Sequence, residues 1–184
     1  MHTLVDKLQQ DHHYFHSLIE LVHRQIISFK TGATSDCQWL VDGMTLIQRY
    51  LHELHQPEES RFQDRLLFKS GKAHGLLLPL FNQDRYSFDE NANRFIDTLH
   101  GAISARVSSR LKLAQFGEHA VKDLYQQILF EERAILPYAN KIFDADDWSA
   151  LDHDVQSNKD RCLLKTGLKM DYQNLMKRPP ATVY

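Results

Sequence analysis

This sequence predicts an all-α protein, an up-down-up-down four-helix bundle with a short extra C-terminal helix and tail. Three observations carry that expectation. Glycine is scarce, 7 of 184 residues, and the two-residue alternation of a strand is hard to find. Four runs place apolar residues at steps of three and four, the spacing of one helix face. Residues that start or stop helices bound most of these runs. A chain of 184 residues suits one domain with one sizeable core.

The first run carries Val5, Leu8, Phe15, Ile19, Val22 and Ile26, and keeps its spacing when position 12 is counted in the series. Thr3 with Asp6 resembles a capping box, and Gly32 is a plausible stop. The second run follows Ser35 and Gln38, carries Leu40, Met44, Ile47, Leu51 and Leu54, and is expected to reach about Phe68. The third is expected to begin after Ser87, with Glu90 completing a capping box, and its stripe is Ala92, Ile96, Leu99, Ile103 and Val107. Gly117 suggests a break. The fourth runs from about Glu118 to Phe143 through Ala120, Leu124, Ala134 or Ile135, and Tyr138. "DADDWSAL" reads as a short capped helix, and the tail "KRPPATVY" as a fraying end. Residues 1–155 are thus expected to form the bundle, and 156–184 an extension packing on it. Segment 70–86, with its apolar "GLLLPLF", fits a lid, an extra short helix or an interface patch.

Net charge is −2, which gives no strong field for nucleic acid or an anionic membrane. No apolar run approaches the roughly 20 residues that span a bilayer. The opening "MHTLVDKLQQDHH" lacks the basic-then-apolar pattern of a secretory signal, so a cytoplasmic location is the expectation. Cys37 and Cys162 lie in no motif and read as reduced thiols. Histidine is the unusual residue, 11 of 184.

Several of those histidines fall inside the apolar stripes. His12 lies between Leu8 and Phe15. His55 follows Leu51, Glu59 follows His55 at the same spacing, and Phe62 comes next. His100 lies between Ile96 and Ile103, and Gln127 and Glu131 follow Leu124. Burying an unpaired carboxylate costs several kcal/mol, so such groups need strong partners. In an up-down bundle, positions equally far from a shared connection lie at equal height. His12 and His55 match across the first connection, His55 and His100 across the second, His100 and Glu131 across Gly117. At 1.5 Å rise per residue the mismatches are about 2–3 Å, so all five side chains can share one layer. Spacing of four puts His55 and Glu59 on one helix face. Imidazole nitrogen with carboxylate oxygen suits iron, manganese or zinc, and bundles that hold two metals use this arrangement.

With those residues in view, the sequence resembles the hemerythrin-like, HHE cation-binding proteins of the small bacterial type. The matching pieces are "LQQDHHYFHSLI", "YLHELHQPEESRF", the histidine of "DTLHGAI", and "LFEERAILPYANKIFDADDWSALD". The resemblance covers roughly residues 3–155. It implies a four-helix bundle with a non-haem di-iron centre, bridged by two carboxylates and bound by histidines. It implies reversible binding or sensing of dioxygen or nitric oxide, or iron handling. The metal ligands carried over are His12, His55, Glu59, His100 and Glu131. Gln127 stands where the family pattern has a histidine, and an amide oxygen is a weaker ligand for a transition metal. One iron is then expected to be under-coordinated, to carry water, or to be missing, or another transition metal takes its place.

The remaining histidines read mainly as helix-surface residues. His16, His23 and His52 are the additional-ligand candidates beside Gln127, because they share roughly the faces of His12 and His55. His13, His2, His74, His119 and His153 are expected to face water, and Glu58 and Glu132 to be solvated or to support the ligands from behind. Phe15, Phe62 and Phe95 read as core. Pro57 either bends the second helix beside the site or ends it near residue 56. Three functions stay open: a di-metal binding or sensing protein, an iron-dependent redox enzyme or iron–sulfur repair factor using the position Gln127 leaves open, and a bundle that has lost its metal and pairs as a homodimer through residues 76–81.

Overall fold

A computed structural model of the chain describes residues 3–32, 36–71, 78–103, 109–157 and 159–178, and every regular element among them is helical. The elements are α1 (Thr3–Lys30), α2 (Cys37–Tyr50), α3 (Gln56–Ser70), α4 (Leu78–Ile103), α5 (Arg110–Phe130), α6 (Leu136–Ile142), α7 (Ala145–Ser157) and α8 (Lys159–Lys177). A π turn, Leu51–His55, joins α2 to α3, and a second, Glu131–Ile135, joins α5 to α6. The chain therefore makes four long rods: α1, α2–α3, α4 and α5–α6. Contacts run α1 to α2, α2 to α4, α4 to α5 and α5 back to α1, so each rod touches two others in a closed ring.

Local chemistry accounts for the ends. The backbone N–H of Leu4, in the first turn of α1, donates to Asp152 Oδ1 of α7 at 2.9 Å. Gly32 ends α1 at φ +90, a conformation glycine adopts without steric cost. Asp36 caps α2 by accepting the Trp39 N–H at 3.0 Å. The cap is thus Asp36 instead of Ser35, which lies outside the described residues. Both π turns have a proline just beyond them, Pro57 and Pro137. A proline ring in a helix interior collides with the carbonyl four residues back and costs about 3 kcal/mol. The widened turn gives the ring room beside the carbonyls of Glu53 and Arg133. The second rod therefore passes through Pro57 to Ser70 without ending near residue 56.

Two expectations for the third and fourth rods need correction. α4 begins at Leu78, well before Ser87. Ser87 is an interior residue whose Oγ donates to Asp123 Oδ2 at 2.7 Å, and Glu90 pairs with Arg94. The buried stripe of α4 is Phe88, Ala92, Phe95 and Leu99, while Ile103 is 49% exposed. Gly117 does not break a helix: α5 runs straight through it. A Cβ there would sit 2.8 Å from Ile26 Cδ1 and 2.9 Å from Phe95 Cε2, so this glycine permits close approach of α5 to α1 and α4. Residues 72–77, and the side chains of the apolar stretch at 76–81, lie outside the described set, as does the tail beyond 178.

The core is divided. A large cluster holds Phe15, Ile19, Trp39, Met44, Leu54, Phe95 and Ile128, and a smaller one holds Leu8, Phe62, Ile135, Phe143 and Trp148. On three rods the change from one cluster to the other falls at a polar layer. His12 lies between Leu8 and Phe15, His55 and Glu59 between Leu54 and Phe62, and Glu131 between Ile128 and Ile135. α8 packs on α2, where Trp39 Nε1–H donates to the Leu175 carbonyl at 3.3 Å.

The start of α7 carries a charged clasp. Asp144 Oδ1 accepts the N–H groups of Asp146 and Asp147, each at 3.0 Å, and Asp147 Oδ2 accepts the Asp144 N–H at 3.0 Å. The inaccessible Asp147 carboxylate also takes Arg65 Nε at 2.6 Å and Lys69 Nζ at 2.8 Å. Burial pushes its pKa up, but Lys69, the Asp144 N–H and Arg65 pull it further down, from 3.8 to about 2. A carboxyl lowered in the folded state stabilises the fold above its ordinary pKa and loses that contribution as pH falls through the folded value. Thermal melts should therefore find Asp147→Asn less stable than wild type at pH 7, with the gap closing between about pH 4 and pH 2. A gap independent of pH would assign the loss to packing alone.

Candidate metal centre

Three rods bring polar side chains into the layer between the two clusters. α1 supplies His12. The second rod supplies His55, the last residue of its π turn, and Glu59, one turn on in α3. The fourth rod supplies Gln127 from α5 and Glu131, the first residue of its π turn. All are inaccessible in spite of their polarity: His12 2%, His55 1%, Glu59 2%, Gln127 1% and Glu131 4% exposed. Glutamates are almost never fully buried unless paired, and every buried polar group needs a partner to offset its lost hydration.

Glu131 is the hub. Its Oε2 lies 3.0 Å from His12 Nε2 and 3.2 Å from His55 Nε2. Its Oε1 accepts from Gln127 Nε2 at 3.2 Å. Glu59 Oε2 is 3.9 Å from His55 Nε2, and Gln63 Nε2 holds Glu59 Oε1 at 2.8 Å. The imidazoles of His12 and His55 stand 5.1 Å apart, and the edge-on ring of Phe15 walls the His55 side. A small cavity of about 10 Å³, the size of a single water, is bordered by Glu59, Gln63 and Glu131. One donor atom each from His12, His55 and Glu131 lies within 4.8 Å of the others.

The charges follow from these contacts. Burial lowers the pKa of His12, but Glu131 and Glu132 raise it more, so the net shift is upward from 6.5. Burial likewise opposes protonation of His55, and Glu131 and Glu59 overcome it. The carboxyl of Glu131 is held well below the usual carboxylate range, because His55 and His12 outweigh its burial. Each ring nitrogen of His12 faces a carboxylate, Nε2 at Glu131 and Nδ1 at Glu132 Oε1, 3.0 Å away. Without a metal, Glu131, Glu132 and Glu59 thus bias both imidazoles toward their protonated forms.

The residues also suit a cation. Two buried polar atoms here, His55 Nδ1 and Gln127 Oε1, have no hydrogen-bond partner among the described residues. Glu132 holding His12 Nδ1–H would fix the tautomer that presents Nε2 to an ion, a common arrangement behind metal-bound histidines. Two imidazole nitrogens with carboxylate oxygen form a donor set for iron, manganese or zinc. On the outer side of His12 a groove of about 660 Å³ opens to solvent, bordered by His13, His16, Tyr125, Glu132 and Arg133.

The structure does not bring the other candidates into the layer. His100 is exposed on α4. The buried stripe through Phe95 and Leu99 turns the next residue about 100° away from the core. The height argument that placed it beside Glu131 also fails, since α5 begins at Arg110 and Gly117 lies inside it. His100 is close to the α4–α5 connection, whereas Glu131 lies some six turns along the next rod. His16 is exposed, with Nδ1 3.9 Å from Glu20 Oε1 and its ring against Tyr125. His23 is half-buried further along α1. His52 is exposed, held between Gln56 Oε1 and Asp89 Oδ1, both at 2.9 Å. His13, His119 and His153 are also exposed; His2, His74 and the side chain of Glu58 lie outside the described set.

Of three supporting residues, Glu132 was expected either to be solvated or to back the ligands, while Gln63 and Asp11 escaped the reading of the stripes. Glu132 holds His12 although its side chain is 40% exposed. Gln63, one turn after Glu59, is the signal that spacing alone offered. Buried Asp11, beside His12, accepts the Tyr50 hydroxyl at 2.6 Å, and Phe15 packs edge-on against Tyr50.

Comparison with known proteins returns no match: no family model fits the sequence, and no curated protein or solved structure is significantly similar to it. The class defined by fold and site is therefore the coarse one, an all-helical protein with a buried His–His–Glu cluster that suits a metal ion.

Proposed function

We propose that this chain is a metal-binding protein of the hemerythrin-like kind. Its four rods form an up-down-up-down bundle that holds a transition metal, iron first, among His12, His55, Glu59 and Glu131, for binding or sensing dioxygen or nitric oxide. One observation carries the reading: buried donor atoms from three separate rods converge within 4.8 Å. The resemblance of the stretches around His12, His55 and Glu131 to the motifs of those proteins adds to it.

With His100 on the surface and Gln127 offering an amide, the donors favour a single nitrogen-rich position at His12, His55 and Glu131. A second ion would rest mainly on the carboxylates of Glu59 and Glu131. Bound iron would supply a redox-active Lewis acid for a small diatomic ligand. The chain's own work is to hold the donors, to exclude bulk water with Leu8, Phe15 and Phe62, and to leave an approach through the groove outside His12.

The test is elemental analysis after anaerobic reconstitution with ferrous ion, followed by optical spectra on adding nitric oxide. About one iron or more per chain is expected, with a new absorption band on nitric oxide addition. A folded protein that retains no transition metal from iron, manganese, zinc or cobalt solutions would return the chain to a bundle that has lost its metal.

A further inference from the structure

We infer that Pro57 and Pro137 are positioning residues of the metal centre, each locking a π turn that sets the register between the donors and the core. The inference rests on the metal-binding reading above.

The π turns fall on only two of the four rods among the described residues. Those are the two rods whose polar pair in the layer is spaced four residues apart, His55 with Glu59 and Gln127 with Glu131, whereas α1 offers the adjacent Asp11 and His12. Each turn meets the site directly. His55 is the last residue of the first, and Glu131 is the first residue of the second. In both turns the closing bond spans five residues: Gln56 N–H to the Leu51 carbonyl, and Leu136 N–H to the Glu131 carbonyl. In both, the proline stands at the same offset from that carbonyl, Leu51 to Pro57 and Glu131 to Pro137. The sequence has 5 prolines. Pro179 and Pro180 are in the tail and Pro79 is in the first turn of α4, so the two in the middle of long rods are these two.

Register explains why a π turn is useful there. Each of these rods buries the large cluster on one side of the layer and the small cluster on the other. The second does so with Leu54 and Phe62, the fourth with Ile128 and Ile135. A π turn takes up one extra residue, so the two halves differ in phase by about 100° from a continuous α-helix. Were the turn to close into α-helix with the same residues, either the small-cluster side chains or the donors would rotate off the bundle axis. Proline blocks that closure twice: it has no N–H for the α-type bond, and its ring collides with the carbonyl that bond would use. Alanine at either site removes both obstacles and frees the turn to interconvert.

The test uses the full chain with Co²⁺ as the probe, read by its d–d absorption, for wild type, Pro57→Ala, Pro137→Ala and the double variant, with Pro79→Ala as control. The metal-free melting temperature should stay level or rise in the Pro57 and Pro137 variants, since alanine suits a helix interior. Co²⁺ affinity should fall, by roughly 10- to 100-fold in the double variant, the range seen when groups that orient metal ligands are removed. Its d–d band should shift, while Pro79→Ala binds like wild type. Wild-type affinity and spectrum in the double variant would overturn the inference, as would a loss of affinity that only tracks a lower metal-free melting temperature. Wild-type protein that binds no Co²⁺ would fail the metal reading itself, and the inference with it.

Discussion

Metal-free protein titrated with a divalent transition metal should melt at a higher temperature than the same protein in chelator. At free metal a hundred times the dissociation constant, a ligand bound only to the folded state adds about 2.7 kcal/mol. For a chain of this size that is roughly 5–11 °C. The gain should depend on pH, with a sign set by the histidines. His12 and His55 hold their protons above the ordinary 6.5 in the folded protein. A group raised on folding stabilises the metal-free fold fully below its unfolded pKa, and that contribution is lost as pH rises through the folded value. The metal needs both imidazoles neutral, so it competes with their protons at low pH and binds better at high pH. The metal-free fold therefore weakens with rising pH while metal binding strengthens, and the gap between the two melts should be wider at pH 8 than at pH 6. Paired melts at those two values check this. Equal melting temperatures with and without metal at both would contradict a metal centre.

The second large effect belongs to Glu131. Its two oxygens serve His12, His55 and Gln127, so Glu131→Ala strips three buried groups of a partner at once. Removing one member of a buried charged set costs about 3–5 kcal/mol. The freed imidazoles can shed their protons, which limits the cost to the lower end, a melting temperature lower by roughly 6–12 °C. Glu131→Gln keeps the volume and one acceptor, so the metal-free protein should lose less. Both variants should lose tight metal binding, since an amide is a poor replacement for a carboxylate. Melts of the metal-free variants at pH 6, with metal content measured alongside, decide it. A Glu131→Ala protein that melts with the wild type and still retains metal would show that Glu131 is no hub.

Much of the molecule was legible in its amino acids, and the failures have physical causes. The 3.6-residue period carried the helices. The height argument across the first connection placed His12 beside His55, because Gly32 is a true helix end at positive φ. The same argument failed for His100, because glycine serves two purposes in helical proteins. Gly117 looked like a stop and is instead the small side of a helix crossing against Ile26 and Phe95. In α4 Ala92, Phe95 and Leu99 are core as read, but continuing the stripe through His100 to Ile103 followed the residue beside Leu99, and one residue moves a side chain from core to water. The π turns were invisible to a fixed-period reading, since they shift the period itself. Of the pair Glu131 and Glu132, phase separated the buried hub from its neighbour. That the neighbour still reaches His12 depends on a side-chain conformation that no spacing rule encodes.

The split interior gives each half its own indole. The sequence has 2 tryptophans, and Trp39 lies in the larger apolar compartment while Trp148 lies in the smaller. A layer of buried polar groups from three rods stands between them, so each indole reports on its own side of that layer. Fluorescence of Trp148 therefore follows the smaller compartment and that of Trp39 the larger. An ion bound among His12, His55 and Glu131 would lie between the two, at the border that the indoles' compartments share.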